Sequence, residues 1–494
     1  MFLKSRFYKT DSFFKAIIFF SFLFFIILPR TVPSIKLPDR GIFVSVAERL
    51  LAGDKLYSEV WENKDPIFYW LIALGRFFSP FADIVLEVLY IFIASTSIYF
   101  ISRYFDLIKN SAFIMGFVAC PIIITGGNYY PGYSHLPGTA LTLASLTLLL
   151  YDRSLLSGLL FSFTLFTKLT TAPILISMLI VVLLLDKNSQ KIKFMCVGII
   201  SGAVIPVLGL WFRGELQGYL SNFQWNLTYA NENLYPSWPR PIAHILKSSN
   251  SISLSLSLIV ILILISEYYR LRNLKSTQTH KIAWMLLSVT FISFLTSYVV
   301  LSLTGLWDHH NQILYIPGLL SLIICTRFIE IAFKDRSHLK IIVLVISAIL
   351  LSGPKPSQLF VTYQEMKLEI LSLNSLSPEA SAMLTVAKPG TYARIGTNDD
   401  WGHAYGLREF KLACPYFHLY PSAPISEKTF FKRTLDCLPT VETVIISSTF
   451  TPMVNMSSTL DTHWINFMSK VSKLLEMKFS CEKINKVTIC SKLS

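Results

Sequence analysis

Long apolar blocks, separated by short basic stretches, make up most of the chain as far as residue 353. After a first block from Ala16 to Leu28, they cover residues 83–104, 111–126, 135–151, 154–169, 171–186, 194–212, 249–268, 282–303, 313–330 and 338–353. A helix needs about 20 apolar residues to cross a bilayer, and several of these blocks reach that length. The pattern predicts an all-α polytopic membrane protein, with about eleven transmembrane helices over residues 1–353.

The basic residues fall mostly on alternate segments between these blocks. When the N-terminus is placed in the cytoplasm, the short outside segments hold only Lys168, Arg213, Arg240 and Lys247. This asymmetry follows the positive-inside rule. With an odd number of spans, it predicts a C-terminal tail outside the cell. The alternative for the first block is a signal peptide, but no small-x-small cleavage site follows it, so we expect it to be retained.

One outside segment, residues 30–82, is long and rich in charges of both signs. Such loops are usually functional. Its first half has an apolar stripe at helical spacing, which Gly53 is placed to end. The residues of that stripe are Phe43, Val46, Ala47, Leu50 and Leu51. A second, aromatic-rich helix is predicted over residues 67–79, and we expect both helices to lie in the membrane interface.

The composition changes after residue 353, where the chain becomes polar and is interrupted by Pro and Gly. Residues 354–494 contain two β-like runs, 392–396 and 441–447. Their length is sufficient for one small domain. The pattern predicts an α/β domain outside the cytoplasm.

Four of the seven cysteines lie in this tail, an even number that suits an oxidising compartment. Three pairings are open, of which we favour Cys414–Cys437 and Cys481–Cys490, the latter closing a hairpin. The alternative is four free thiols in a reducing compartment. The remaining cysteines, which fall inside apolar blocks and are expected to be inert core residues, are Cys120, Cys196 and Cys325.

Composition narrows the class of protein further. Charged residues form 15% of the chain and aromatic residues 14%, which excludes an ordinary soluble enzyme and a disordered chain. The net charge is +14. Because the basic residues lie mostly between apolar blocks, we assign this charge to topology and contact with anionic membrane lipids, and expect no nucleic-acid partner.

The candidate chemistry lies in the loop of residues 30–82. Asp39 lies just after the first block, where a carboxylate could deprotonate an incoming hydroxyl. Lys64 lies just before Pro66, where an ammonium could hold a phosphate. Tyr57 and Glu62 are supporting residues. The alternative is that these are solvated loop charges with a capping role.

This loop resembles the first external loop of the GT-C glycosyltransferases, in particular the protein O-mannosyltransferase and aminoarabinose-transferase group. The matching residues are Asp39, Gly53, Tyr57, Lys64, Pro66, Tyr69 and Trp70. Two further segments resemble the same family. They are Leu165–Lys168, at the end of a middle block, and Asp308–Pro317, with His310 and Pro317 at the family's spacing. The resemblance covers roughly residues 1–350.

The resemblance implies an enzyme that takes a sugar from a polyprenyl-phosphate carrier and passes it to a lipid, glycan or protein acceptor. It implies Asp39 as the general base and Lys64, Lys168 and His310 as ligands of the donor phosphate. Asp308 and His309 are supporting residues in this scheme. The implied place is the plasma membrane, and a single displacement would invert the anomeric carbon.

The departures from the family pattern leave some points open. Arg40 and Gly41 follow Asp39, Asp65 replaces a proline, and Asn311 replaces a tyrosine. The first departure weakens the case for a metal held by an acid pair. We therefore assign no metal ligand and no cofactor. A divalent metal stays open as an alternative.

Other interpretations of the same features stay open. A transporter or flippase for a lipid-linked sugar would share the spans and charges, although we find no convincing internal repeat. A non-catalytic relative acting as an assembly subunit is a third. The alternative for Lys168 is a side chain that merely snorkels towards the membrane interface. The two histidines could be interfacial polar groups or, with a loop acid, zinc ligands. The outside loop 213–247 fits sugar contact or an interfacial belt, through Trp225, Tyr229, Asn231, Tyr235 and Trp238.

Overall fold

A computed structural model of the chain describes its helical part and parts of its tail. The described residues are 38–79, 82–125, 135–233, 251–272, 278–302, 312–332, 390–395, 412–417, 431–447, 458–484 and 487–493. They are mostly helical, with a small sheet near the C-terminus.

Helices follow one another along the described part of the chain up to residue 332. They are α1 Pro38–Leu51, α2 Pro66–Phe78, α3 Ala82–Tyr104, α4 Lys109–Ile114, α5 Cys120–Thr125, α6 His135–Leu150, α7 Ser154–Thr167, α8 Ala172–Asp186, α9 Ser189–Phe212, α10 Leu216–Asn233, α11 Ser251–Arg272, α12 Gln278–Ser302 and α13 Tyr315–Ala332. A π-helical turn, Met115–Ala119, joins α4 to α5, and a 3₁₀ turn, Leu169–Thr171, precedes α8.

Five helical segments within the described residues are long and apolar enough to cross a membrane. They are Val85–Tyr104, Leu169–Asp186, Ser189–Phe212, His280–Leu301 and Gln312–Glu330. The shorter apolar helices are Pro66–Phe78, Lys109–Ile124, His135–Leu150 and Ser154–Thr167. Several apolar helices could therefore span a membrane, as expected of a membrane protein. The first block, Ala16–Leu28, and the last, 338–353, lie outside the described residues, so the total of eleven stays a prediction.

Large apolar side chains on these helices point away from the rest of the protein. Leu184 of α8 is 68% exposed and Ile200 of α9 is 66% exposed. In water such surfaces cost free energy, whereas lipid chains solvate them well. The exposed faces therefore agree with the membrane character of the sequence.

The chain divides into two compact units that do not follow its order. The first unit comprises Met1–Ser34, Ile84–Val204 and Tyr235–Lys367. The second comprises Ile35–Asp83, Ile205–Leu234 and Leu368–Ser494. The predicted boundary near residue 353 falls outside the described residues and stays a prediction. The grouping adds that Ile35–Asp83, most of the charged loop, belongs to the same unit as the tail.

Small and hydroxyl residues join the helices of the first unit. The hydroxyls of Ser145 on α6 and Ser157 on α7 each donate to the other residue's carbonyl, over 2.9 and 2.8 Å. A Cβ atom on Gly202 of α9 would lie 2.8 Å from the carbonyl oxygen of Leu159 on α7. The glycine therefore permits the close helix contact that is common in membranes.

The tail in the second unit contains a four-stranded sheet. Its strands are β2 Tyr392–Ile395, β4 Thr443–Ser447, β5 Phe479–Ile484 and β6 Val487–Lys492, in the order β2-β4-β6-β5. The pair β2–β4 is parallel and the other two pairs are antiparallel. Both β-like runs of the sequence are thus strands, and β5 and β6 form a hairpin.

Helix α15, Ser458–Lys478, connects β4 to β5. It buries Phe467, Val471 and Leu475, which repeat at four-residue spacing and so lie on one face. Phe467 stacks on Phe431, with ring centroids 4.3 Å apart. Phe431 directly precedes a short helix, α14, Lys432–Cys437.

Both favoured disulfides are present in the structure. Cys414 bonds to Cys437, with their Cα atoms 5.7 Å apart, and Cys481 bonds to Cys490 across the β5–β6 hairpin. The prediction is confirmed for both pairs. Among the other cysteines, Cys120 is buried as expected, but Cys196 is exposed on α9. The expectation of a core residue at position 196 was wrong because its side chain lies on the outer, apolar side of the helix.

Candidate functional site

The turn that follows α1 returns the chain towards that helix. Gly53 has a φ of +97°, a conformation that glycine adopts without strain. The amide of Asp54 donates to the carbonyl of Arg49 over 3.1 Å, which satisfies an acceptor at the helix end. The predicted end of the helix at Gly53 is confirmed.

Charged side chains of α1 are buried in ion pairs rather than exposed. Glu48 pairs with Arg76 of α2, and Arg49 pairs with Asp54. Residues 43–50 are all buried. The apolar stripe of α1 is buried as expected, and the ion pairs bury its polar side as well. Its place in the membrane interface stays a prediction.

Helix α2 has one buried face and one exposed apolar face. It starts at Pro66, a residue whose missing amide hydrogen is no loss in the first turn of a helix. Leu74, Phe77 and Phe78 are 57%, 62% and 78% exposed. This is the distribution expected of a helix whose outer face contacts lipid.

The ammonium of Lys64 is held just before α2. It donates to Oε1 of Glu62 over 3.2 Å and to Oδ1 of Asn63 over 2.7 Å. The backbone amide of Lys64 also donates to Glu62, at 2.9 Å, and the Tyr69 hydroxyl donates to the same carboxylate. The Lys64 Nζ lies 5.4 Å from the ring centroid of Phe43, within cation–π range. The side chains of Lys64 and Glu62 are therefore held by hydrogen bonds within the fold and are not solvated loop charges.

Tyr57 fixes the backbone of the same segment. Its hydroxyl donates to the carbonyl of Lys64 over 2.8 Å, and its φ is +67°. Burial raises the pKa of Tyr57 well above its usual value, and the neighbouring carboxylate of Asp65 raises that pKa further. The hydroxyl therefore remains a donor at physiological pH.

Helix α10 packs against this loop. Oε1 of Glu215 accepts from the amide of Leu56 over 2.9 Å. A Cβ atom on Gly218 would lie 2.9 Å from the Cβ of Tyr57, so the two segments meet closely. Tyr219 hydrogen-bonds Asp65, and its pKa is raised by burial and then by the charge of Asp65.

Two elements of the tail also contact the loop. The short strand β1, Val60–Trp61, pairs in parallel with β3, Tyr416–Phe417. Nη1 of Arg433 in α14 donates to the carbonyl of Ser58 over 3.3 Å. The Cys414–Cys437 disulfide has one cysteine just before β3 and the other at the end of α14.

Lys168 lies in the first unit, at the break between α7 and α8. It is 8% exposed and has an extended backbone, and its carbonyl accepts from the amide and hydroxyl of Thr171 at 3.1 and 2.9 Å. A Cβ atom on Gly138 of α6 would lie 2.8 Å from the Cβ of Lys168. The lysine is thus largely buried at the end of α7, where the chain breaks before α8, and its role stays a prediction.

The remaining predicted site residues lie partly or wholly outside the described part of the chain. The backbone of Asp39 is in the first turn of α1, but its side chain is outside the description. Asp308, His309 and His310 lie outside it altogether. The structure therefore brings Tyr57, Glu62 and Lys64 together, and the functional roles of all the predicted site residues stay predictions.

Within the described ranges, no group of three or more His, Cys, Asp or Glu side chains could hold a metal ion. The open metal alternative depended on the pair His309 and His310 together with an acid of the loop. Because both histidines lie outside those ranges, the question stays open.

The sequence interpretation missed the role of α10. The composition of residues 213–247 predicts an outside loop rich in Trp, Tyr, Asn and Pro, whereas Leu216–Asn233 is a helix. The signal was present at helical spacing. The polar residues facing the loop, at i, i+4, i+7 and i+11, are Glu215, Tyr219, Asn222 and Asn226.

Comparison with protein-family models finds none that matches this chain, and comparison with curated proteins finds no match either. The resemblance to the GT-C glycosyltransferases therefore rests on the residues named above.

Proposed function

We propose that the protein is an integral membrane glycosyltransferase of GT-C type. It moves a sugar from a polyprenyl-phosphate carrier to a hydroxyl acceptor on the outer face of the plasma membrane. Its N-terminus lies in the cytoplasm and its C-terminal domain outside, where the acceptor is a lipid, a glycan or a protein.

The observation that carries this proposal is the position of Lys64 relative to α2. The ammonium is fixed by Glu62 and Asn63 immediately before a helix of 13 residues. That helix is about 20 Å long, and its exposed face ends in Phe77 and Phe78. A fixed cation followed by an exposed apolar face suits a ligand with a phosphate at one end and a lipid chain at the other.

The proposed reaction is a single displacement at the anomeric carbon. Asp39 takes the proton of the acceptor hydroxyl, whose oxygen forms the new bond to that carbon. The bond to the phosphate oxygen breaks, and polyprenyl phosphate leaves with the electron pair. Lys64 stabilises the charge on the leaving phosphate, and the configuration of the anomeric carbon is inverted. Lys168 and His310 are assigned to the same phosphate by the resemblance alone.

The test supplies purified protein in lipid nanodiscs with synthetic polyprenyl-phosphate sugars and a panel of lipid, glycan and peptide acceptors. We expect a glycosylated acceptor of inverted configuration and an equal amount of free polyprenyl phosphate. A transporter or flippase would give neither product, but would move the intact donor between the leaflets of proteoliposomes. Movement of the donor without a glycosylated product would overturn the proposal.

A further inference from the structure

Helix α10 contributes a polar stripe to the segment that carries Lys64. The stripe residues Glu215, Tyr219, Asn222 and Asn226 repeat at helical spacing and therefore lie on one face. Glu215 and Asn222 are fully buried. Burial of a polar face costs free energy unless its groups are hydrogen-bonded. The hydrogen-bond partners of this face therefore identify the groups that α10 positions.

Two residues of the stripe converge on a single backbone atom. Nδ2 of Asn226 donates to the carbonyl oxygen of Asn63 over 3.0 Å, and Nδ2 of Asn222 donates to the same oxygen over 3.4 Å. A carbonyl oxygen can only accept, which fixes the orientation of both amides. This peptide group is therefore anchored to α10 from two successive turns.

The anchored peptide group is the one that joins Asn63 to Lys64. Oδ1 of Asn63 accepts from the Lys64 ammonium over 2.7 Å. The carbonyl of Lys64, on the next peptide, accepts from Tyr57 over 2.8 Å. Helix α10 is thus connected to the Lys64 ammonium through the anchored carbonyl of Asn63 and the hydrogen bond that Oδ1 of Asn63 accepts.

We propose that Asn222 and Asn226 are positioning residues for donor binding, which act by holding the Asn63–Lys64 peptide so that the Lys64 ammonium meets the donor phosphate. This inference rests on the proposed function and adds to it the element that sets the geometry of its phosphate ligand. The two asparagines act through Lys64 rather than by contact with the donor.

The test is a double-mutant cycle with binding of a fluorescent polyprenyl-phosphate sugar as the readout. Asn226→Leu and Asn222→Leu should each weaken binding about fivefold, the value of a typical hydrogen bond, and Lys64→Ala by more than tenfold. In the Lys64→Ala background, the asparagine changes should weaken binding less than twofold further. Asn226→Gln keeps an amide donor and should restore binding to within twofold of the wild type.

The matched controls are Gln217→Ala and Ser221→Ala, which change exposed residues of the same helix. They should leave binding unchanged. Asn226→Ser, a milder change at a half-buried position, replaces Asn226→Leu if the leucine variant does not fold, and the same cycle then applies.

The outcomes separate the two proposals. If the wild type does not bind the lipid-phosphate sugar, the proposed function fails and the inference fails with it. If the wild type binds but the asparagine and Lys64 changes are additive, only the inference is overturned, because additivity means that α10 does not act through Lys64.

Discussion

The hydroxyl of Tyr57 donates a hydrogen bond of 2.8 Å to the backbone carbonyl of Lys64. The tyrosine makes this contact from a left-handed backbone, with a φ of +67°. Such a conformation is strained for a large side chain and persists where the surrounding structure holds it. This relationship indicates that the segment between α1 and α2 adopts a single defined conformation. The first prediction tests it.

Tyr57→Phe should remove this hydrogen bond and reduce stability by about 1 kcal/mol. It should also change the response to high pH. Because the pKa of Tyr57 is raised in the folded state, its contribution to stability is fully present below the unfolded pKa of about 10 and is lost as the pH rises towards the folded pKa. Thermal unfolding in detergent between pH 8 and 11 measures this loss.

Tyr57→Phe should lose less stability than the wild type over that range. Tyr219 has its pKa raised in the same direction, so Tyr219→Phe serves as the comparison and should remove a separate part of the loss. Identical pH profiles for the wild type and both variants would contradict this account of the cluster.

The second prediction concerns the buried ion pair of Glu48 and Arg76. Arg76→Met leaves the Glu48 carboxylate buried without this partner, which should cost about 3–5 kcal/mol. The double variant Glu48→Leu, Arg76→Met removes both charges and should recover the part of that loss that comes from Glu48, while Asp83, whose Oδ1 lies 3.8 Å from Nη1 of Arg76, still loses this partner. Unfolding of the single and double variants in detergent measures both values, and a double variant no more stable than Arg76→Met would show that the pair is not an independent unit.

The third prediction concerns the disulfide beside the contacts of the loop with β3 and α14. Replacing Cys414 and Cys437 with serine should speed amide hydrogen exchange over residues 56–61 by about tenfold or more, because β1 pairs with β3 and Arg433 holds the Ser58 carbonyl. Replacing Cys481 and Cys490 is the matched control.

That control disulfide joins β5 to β6 and should leave exchange over residues 56–61 unchanged. Equal effects of the two replacements would mean that the loop responds to the stability of the whole tail. In the unreduced wild type, thiol counting should find three free cysteines of seven.

Local patterns were sufficient to predict the described apolar helices, two strands and both disulfides. The helix end at Gly53 and the β5–β6 hairpin with its Cys481–Cys490 bond depend on residues close together in the chain. Such features are decided by backbone conformation and short-range pairing, so the sequence displays them directly.

Contacts between distant parts of the chain could not be predicted in the same way. Nothing near Glu48 indicates that Arg76 will cover it, and the two-residue strand β1 has no pattern that points to β3. The stripe on α10 differs from these contacts, because its helical spacing is present in the sequence. The composition of residues 213–247, however, is typical of a loop and favours that interpretation. Only the tertiary structure shows that Asn222 and Asn226 face Asn63.

The most direct test of the proposed function is the effect of Asp39→Asn on transfer. Asparagine keeps the size of aspartate but removes the base, and loss of a general base costs about 10²- to 10⁴-fold in rate. Glu59→Gln, which changes an exposed carboxylate hydrogen-bonded to the Lys55 amide, is the control. With purified protein, a synthetic polyprenyl-phosphate sugar and its acceptor, we predict that Asp39→Asn binds the donor but gives almost no product, while Glu59→Gln transfers normally. Transfer by Asp39→Asn at the wild-type rate would contradict the account.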